Sequence, residues 1–257
     1  MTSDTRDAPE DIGVGRAAEN DPDRNGEAGR NALVVVAHHR TDSLTTYTAR
    51  RAAEQLQEAG YHVDELNLYS EGFDPRMTVE DEPDWDNREK TYSVEVESHM
   101  KRLLKADLVV AVFPIWWVHI PAILKGWIDR VWNYGLAYGR SQPRLAGKRM
   151  LWLALSSATD DFALDFIRSA LDVSLNQGVA YYSGFDFSTV GLLPDSEEHR
   201  HRFTKDGTMY IDAASIGAER DEQYRQFHQR AKTTVDEFIT ATAPEAVSAQ
   251  FRAGGRP

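Results

Sequence analysis

The sequence predicts an α/β domain, a doubly wound, five-stranded parallel sheet with helices on both faces. Three observations predict it. Strand-like and helix-like segments alternate along the chain, the order that a parallel sheet with crossover helices requires. Most of the strand-like segments are continuous apolar runs rather than alternating ones, as strands covered on both faces must be. The chain has 257 residues, 41% of them hydrophobic, which fills one sizeable core but not two.

The elements follow in order. "ALVVVAH" (32–38) is a continuous apolar run that ends at a turn, and reads as the first strand. Residues 43–59 read as a helix, with Leu44, Thr48, Ala52, Leu56 and Ala59 on one stripe and Gly60 as its stop. "YHVDELNLY" (61–69) alternates as a strand, and a long polar stretch fills 70–92. Val96, Met100, Leu103 and Leu104 mark the second helix, and "DLVVAVF" (107–113) the third strand. Residues 121–132 form a helix with Pro121 in its first turn, where a missing N–H costs nothing. "KRMLWLALS" (148–156) is the fourth strand, 160–176 a helix through Phe162, Phe166, Ala170 and Val173, and "AYYSGFDFSTVGLL" (180–193) the fifth strand. A last helix carries Tyr224, Phe227, Ala231, Val235 and Phe238 at spacings of three and four. Residues 1–30 hold only scattered apolar side chains and read as a disordered tail, leaving 31–240 as the folded domain and 241–257 as a second loose end.

Composition excludes several classes of function. The chain has 29 basic and 41 acidic residues, a net charge of −12, and no basic cluster of the kind nucleic-acid binders carry. There is no cysteine, so neither a disulfide framework nor a thiolate nucleophile is available. No apolar run approaches a membrane span, and the start of the chain lacks the basic-then-apolar order of a secretory signal, so the expected location is the cytoplasm.

In sheets of this kind ligands sit beyond the carboxyl ends of the strands, so 38–45, 114–121 and 156–162 are the loops to inspect. The first, "AHHRTDSLTT", lacks both the GxGxxG and the GxxxxGK[ST] patterns. It places His38, Arg40, Ser43, Thr45 and Thr46 around a helix N-terminus, where free amides and the helix dipole favour an anion. An N-cap at Asp42 or Ser43 beside two surface histidines explains the same residues. The second loop, within "FPIWWVHIPAILKGWIDR", carries adjacent indoles, Trp116 and Trp117, where a turn usually carries small polar residues. Flat aromatic groups beside backbone amides make a surface for a flat, partly polar ring such as an isoalloxazine; packing beneath a neighbouring helix is the alternative. Trp127 and Trp132, on the helix itself, read as core or interface residues.

"AHHRTDSLTT", "FPIWWVHIPAILKGWIDRVW" and "GLAYG" together resemble the flavodoxin-like NAD(P)H:quinone oxidoreductase family, and "MTVEDEPDWDNREKTYSVEV" (77–96) is similar to a bacterial NAD(P)H oxidoreductase branch of it. The resemblance covers roughly residues 32–190, with a weaker tail to about 240, and its most specific part is the long stretch from Phe113 to Val131. It implies a flavodoxin-like fold, a bound flavin (FAD or FMN), NAD(P)H as reductant and a quinone or similar aromatic acceptor. By the resemblance, His38, Ser43, Leu44 and Thr45 hold the flavin phosphate and ribityl chain. Pro114, Ile115, Trp116, Trp117 and Val118 hold the isoalloxazine, and Tyr138 lines the hydride-transfer pocket. Ser156, Ser157, Ala158 and Thr159 stand where the family has Thr-Thr-Gly-Gly against the pyrimidine edge. The Tyr and His that follow in quinone reductases are replaced by Asp160, Asp161, Phe162 and Asp165.

The aromatic content around 116–138, with the long 70–92 segment, predicts an apolar patch too large to leave exposed and so a two-fold homodimer with the site at the interface. By the resemblance, 70–92 meets the partner subunit near the flavin, with Trp85 and Tyr92 as candidate anchors. A regulatory flavoprotein serving a partner such as a transporter, and a pathway-specific tailoring reductase, remain open beside the quinone reductase. Glu197, Glu198, His199 and His201 read as solvated residues and not as a metal site. Lys125 and Asp129, four apart on a helix, read as an ion pair.

Overall fold

The computed structural model describes residues 30–196, 201–211 and 218–241. The expected N-terminal tail (1–29), residues 242–257 of the C-terminal one, and Glu197, Glu198 and His199 lie outside these. The elements in chain order are β1 (Arg30–Val36), α1 (Leu44–Glu58), β2 (Tyr61–Asn67), a 3-10 turn (Val79–Asp81), α2 (Val94–Lys105), β3 (Leu108–Pro114), α3 (Ala122–Val131), β4 (Arg149–Leu155), α4 (Asp161–Leu171), a π-helical stretch (Asp172–Ala180), β5 (Phe187–Leu193), β6 (His201–Phe203), β7 (Met209–Ile211) and α5 (Ala218–Thr240).

The main sheet has the order β2-β1-β3-β4-β5 and every pairing in it is parallel. The chain runs outward from β1 to β2 and then crosses back to β3, so strand order reverses between β1 and β3. That is the switch point at which doubly wound sheets bind ligands. Side chains alternate between the two faces of each strand, and both sets are apolar. Leu33, Val35, Val109, Ala111, Trp152 and Ala154 pack with α2, α3 and the π-helical stretch. Ala32, Val34, Val110, Val112, Leu151 and Leu153 pack with α1 and α5. This two-sided burial is why the strands read as unbroken apolar runs. Trp127 and Trp132 are core residues, 0% and 4% exposed. Lys125 Nζ and Asp129 Oδ1 form the expected ion pair.

The polar stretch 70–92 is not loose. It packs on α3 at Gly126, where any Cβ would stand 2.2 Å from the Pro75 carbonyl oxygen. Asp81, fully buried, binds Arg130 of α3 at 2.6 Å and accepts from the Ser93 amide at 2.9 Å and hydroxyl at 3.1 Å. Tyr92 is buried and its hydroxyl donates to the Tyr134 carbonyl at 2.8 Å.

Two expected boundaries are corrected. The fourth helix ends at Leu171 and continues as a π-helix to Ala180, and the fifth strand begins at Phe187, not at 180. Tyr181 and Tyr182 are still helical, and Gly184, at φ 81°, makes the turn. A short apolar and aromatic run fits strand or buried helix equally by periodicity, which is why the two were confused. The β6–β7 hairpin, two three-residue strands, has no apolar pattern to announce it.

Candidate active site

The site begins where β1 hands over to α1. His38 Nδ1 lies 3.0 Å from the Arg40 amide and 3.3 Å from the Arg40 carbonyl, and the shorter bond, accepted from the amide, favours the tautomer with its proton on Nε2. Burial and the stacked His39 ring, 4.6 Å away, hold the His38 pKa below the ordinary 6.5. Ser43 is the N-cap of α1: its hydroxyl accepts the Thr46 amide at 3.1 Å and bonds the Arg40 carbonyl at 3.1 Å. Those bonds occupy the hydroxyl, so Ser43 shapes the helix end rather than offering a side-chain donor. The amides of Leu44 and Thr45, the first two of the helix, make no hydrogen bond to a described residue. They keep the positive end of the helix dipole open. On the rim, Arg40 pairs with Asp42 at 3.0 Å.

The loop after β3 is a strained turn. Trp116 and His119 exchange two backbone hydrogen bonds, at 3.0 and 3.1 Å. Between them Trp117 and Val118 take φ values of 52° and 62°. A β-branched residue with positive φ is an outlier, and such strain persists only where the surroundings impose it. The Trp117 and Val118 amides have no acceptor among the described residues. The two indoles do not form one wall: Trp116 is 40% exposed and lies 6.3 Å from the His38 ring, whereas Trp117 is 99% exposed. The turn sends their side chains to different places, which adjacency in sequence cannot reveal.

The loop after β4 is short of one donor. Ser156 is buried, and its hydroxyl accepts the Ala158 amide at 3.1 Å. Ala158 has no positive φ, so its Cβ costs this loop no strain. Ser157 and Thr159 are exposed.

A cleft of about 270 Å³ joins these loops at the carboxyl edge of the sheet. Of the residues singled out in the sequence, His38, Ser43, Leu44, Thr45, Pro114, Ile115, Trp116 and Ser157 line it, with Arg40 and Asp42 on the same wall. Trp117, Val118, Ser156, Ala158, Thr159 and Tyr138 do not line it. Leu155 and Ser196 do, and neither was anticipated. Ser196 follows β5, and the carboxyl end of that strand was the clue to it. Tyr138 belongs to a separate aromatic group, with its ring 5.8 Å from Tyr134, 6.3 Å from Trp85 and 5.9 Å from Tyr182. Burial, then Tyr182 and Tyr134, push its phenol pKa up, so it is a neutral hydrogen-bond donor. Among the described residues no cluster of three or more His, Cys, Asp or Glu is placed to hold a metal ion.

Residues 30–234 match the family described as having a flavodoxin-like fold. The chain belongs to that family. The flavodoxin-like chain is 49% identical over 122 residues to the uncharacterized NAD(P)H oxidoreductase YcaK of Escherichia coli K12, a match spanning 48% of this chain and 62% of that protein. It is 30% identical over 181 residues to NAD(P)H dehydrogenase [quinone] 1 of Rattus norvegicus, covering 62% of this chain and 66% of the relative. It thus spans just under two thirds of the length of these two relatives. Among solved structures it resembles the NAD(P)H:quinone oxidoreductase of Methanothermobacter marburgensis, with TM-score 0.66 and 21% identity over 84% of this chain and 100% of the other. The resemblance read from the first loop, the tryptophan stretch with its helix and Gly135–Gly139 is borne out at the level of family and fold.

Proposed function

We propose that this flavodoxin-like protein is an NAD(P)H-dependent flavin oxidoreductase whose acceptor is a quinone or similar aromatic compound. The observation that carries the reading is the cleft at the β1/β3 switch point, with an anion-receptive end and a flat end. The open Leu44 and Thr45 amides and the His38 Nε2–H suit a flavin phosphate. Pro114, Ile115 and Trp116, beside the unpaired Trp117 and Val118 amides, suit the edge and face of an isoalloxazine. The residues present therefore fit the group the family implies. A bound flavin supplies the redox chemistry, accepting hydride from NAD(P)H and returning it to the acceptor.

The chain's own residues do the rest. The α1 terminus and His38 fix the phosphate end, and the strained turn 115–119 holds two donors in a fixed direction before any ligand arrives. Exposed Trp117, Phe162, Phe166 and Tyr182, at 99, 84, 58 and 64%, support a two-fold homodimer that covers them. Tyr138 does not line its own copy's cleft, which suits a role for it at the other copy's cleft in such a dimer. Among the described residues no helix is long and apolar enough to cross a membrane. The second reading, a reductase selective for one acceptor, is favoured by the Ala158 amide, which Ser156 already occupies.

The test is the visible spectrum of the purified protein, identification of the released flavin, and anaerobic bleaching by NADH and NADPH. A colourless protein that binds no added flavin overturns the proposal.

A further inference from the structure

Three non-glycine residues among those described have positive φ: Trp117 and Val118 in the second loop, and Asp195, at 60°, after β5. Asp195 lies in a part of the chain to which the flavin reading gives no role. Its turn is held from two sides. On one side the Asp195 amide donates to the Ala158 carbonyl at 3.2 Å and the Ser196 amide to the Ser156 carbonyl at 2.9 Å, tying the turn to the third loop. On the other, α5 reaches across: Gln223 Nε2 donates to the Asp195 carbonyl at 2.9 Å and Arg230 to the Pro194 carbonyl at 2.9 Å. The next residue of the chain, Ser196, lines the cleft.

Through α5 the Asp195 turn is also linked to the start of α1. Tyr224, adjacent to Gln223, packs on Tyr47 of the first turns of α1, ring centroids 4.9 Å apart. Consecutive residues of α5 thus brace the Asp195 turn and the start of α1, whose open amides form the anion-receptive end. The Ser196 hydroxyl makes no hydrogen bond to a described residue. The acidic group on this wall, Asp42, is paired with Arg40.

Building on the flavin reading above, we propose that Ser196 is a further ligand for the flavin phosphate, and that Gln223 is the positioning residue that holds the Asp195–Ser196 turn in place. The strained turn at Asp195 sets Ser196 on the wall of the cleft. A fifth loop then joins the binding site, and α5 becomes part of it.

The experiment compares the affinity of the full-length protein for riboflavin, FMN and FAD by quenching of flavin fluorescence, for the wild type, Ser196→Ala, Ser196→Thr and Gln223→Leu. A hydrogen bond to a charged phosphate corresponds to a loss of about ten-fold or more on removal. Ser196→Ala is expected to lose about ten-fold for FMN and FAD and nothing for riboflavin, which has no phosphate. Ser196→Thr retains the hydroxyl and is expected to keep the affinity. Gln223→Leu is expected to lose phosphate-dependent affinity in the same pattern, and adding it to Ser196→Ala is expected to cost little more. An equal loss for riboflavin and FMN, or no loss for either, overturns the assignment while leaving the flavin reading standing. A wild-type protein that binds none of the three overturns both. Melting temperatures of the unliganded variants separate a misfolded Gln223→Leu from a specific effect.

Discussion

Asp81→Ala tests whether the 70–92 segment is held by one buried ion pair. Asp81 is fully buried and Arg130 is 3% exposed. Arg130 reaches Asp81 Oδ2 through Nη2 at 2.6 Å and Nε at 3.1 Å, and its Nη1 binds Glu95 at 2.6 Å and the Asp74 carbonyl. Removing the Asp81 carboxylate strands two guanidinium donors in the protein interior and also frees Thr78 and Ser93. Breaking one half of a buried pair costs about 3–5 kcal/mol. For a domain of this size that is a fall of about 10 °C or more in Tm. Replacing both partners, Asp81→Leu with Arg130→Met, removes the stranded charge and is expected to recover much of the loss. The pH dependence has a definite sign. Burial pushes the Asp81 carboxyl up, but hydrogen bonds from Arg130, Ser93 and Thr78 outweigh it and hold the pKa below the ordinary 3.8. A depressed carboxylate stabilises the fold above its unfolded pKa, so the advantage of wild type over Asp81→Asn is full at neutral pH. It disappears as pH falls below 3.8 and through the folded value. The segment carries Trp85, 5.2 Å from Tyr134, so Asp81→Ala should raise the acceptor KM while flavin retention stays unchanged. Thermal melts and steady-state kinetics check both. A loss under about 1 kcal/mol, or a double variant no more stable than the single one, would refute the reasoning.

His38→Ala should weaken flavin binding by about ten- to hundred-fold without unfolding the protein, read by retention through dialysis. Stopped-flow reduction by NAD(P)H followed by oxidation with menadione should show a slow second half-reaction. Ser156 occupies one backbone donor of the third loop, and losing such a donor costs about 10²–10³ in rate; rapid turnover in both halves would remove the case for a selective acceptor. Phe162→Asp with Phe166→Asp should convert a dimer to a monomer in light scattering at micromolar concentration. His99 is buried, its Nδ1 accepts the Trp127 indole N–H at 3.0 Å, and burial holds its pKa below 6.5. The unfolded chain therefore takes up a proton first, and wild-type stability should fall relative to His99→Gln as pH drops below 6.5, read by paired melts.

The five strands and five helices were legible because two-sided burial writes continuous apolar runs and one-sided burial writes a 3.6-residue stripe. The three ligand-side loops followed from topology alone. What the sequence hid has a common physical cause, which is dependence on partners distant in the chain. Asp81 looks like any residue of an acidic loop until Arg130, 49 positions on, closes over it. Ser196 has no motif, and only the cleft and α5 give it a role. Trp117 and Trp116 differ in conformation rather than chemistry, and backbone strain leaves no mark on residue identity unless a glycine relieves it. Tyr181 and Tyr182 were assigned to a strand because aromatic residues suit strands, whereas here they finish a helix.

The two edges of the sheet are built on opposite terms. At the amino edge basic side chains close on backbone carbonyls. Lys148 binds the Leu104 carbonyl at 2.7 Å, and Arg149 takes the Ala241 carbonyl at 2.9 Å. At the carboxyl edge, among the described residues, amides on α1 and on the turn after β3 have no acceptor and three non-glycine residues take left-handed conformations. Crossover helices all begin at this edge, so open helix-N-terminal amides belong there by topology, but the strained turns after β3 and β5 raise the free energy of the fold and do not follow from topology. A ligand that takes those donors lowers the free energy of the folded state only, so it stabilises the protein in proportion to its concentration over Kd. The strain on this edge is thus an argument for a ligand that takes the donors beside it. The strained turns at Trp117, Val118 and Asp195 neighbour residues that line the cleft, which supports the cofactor site proposed there.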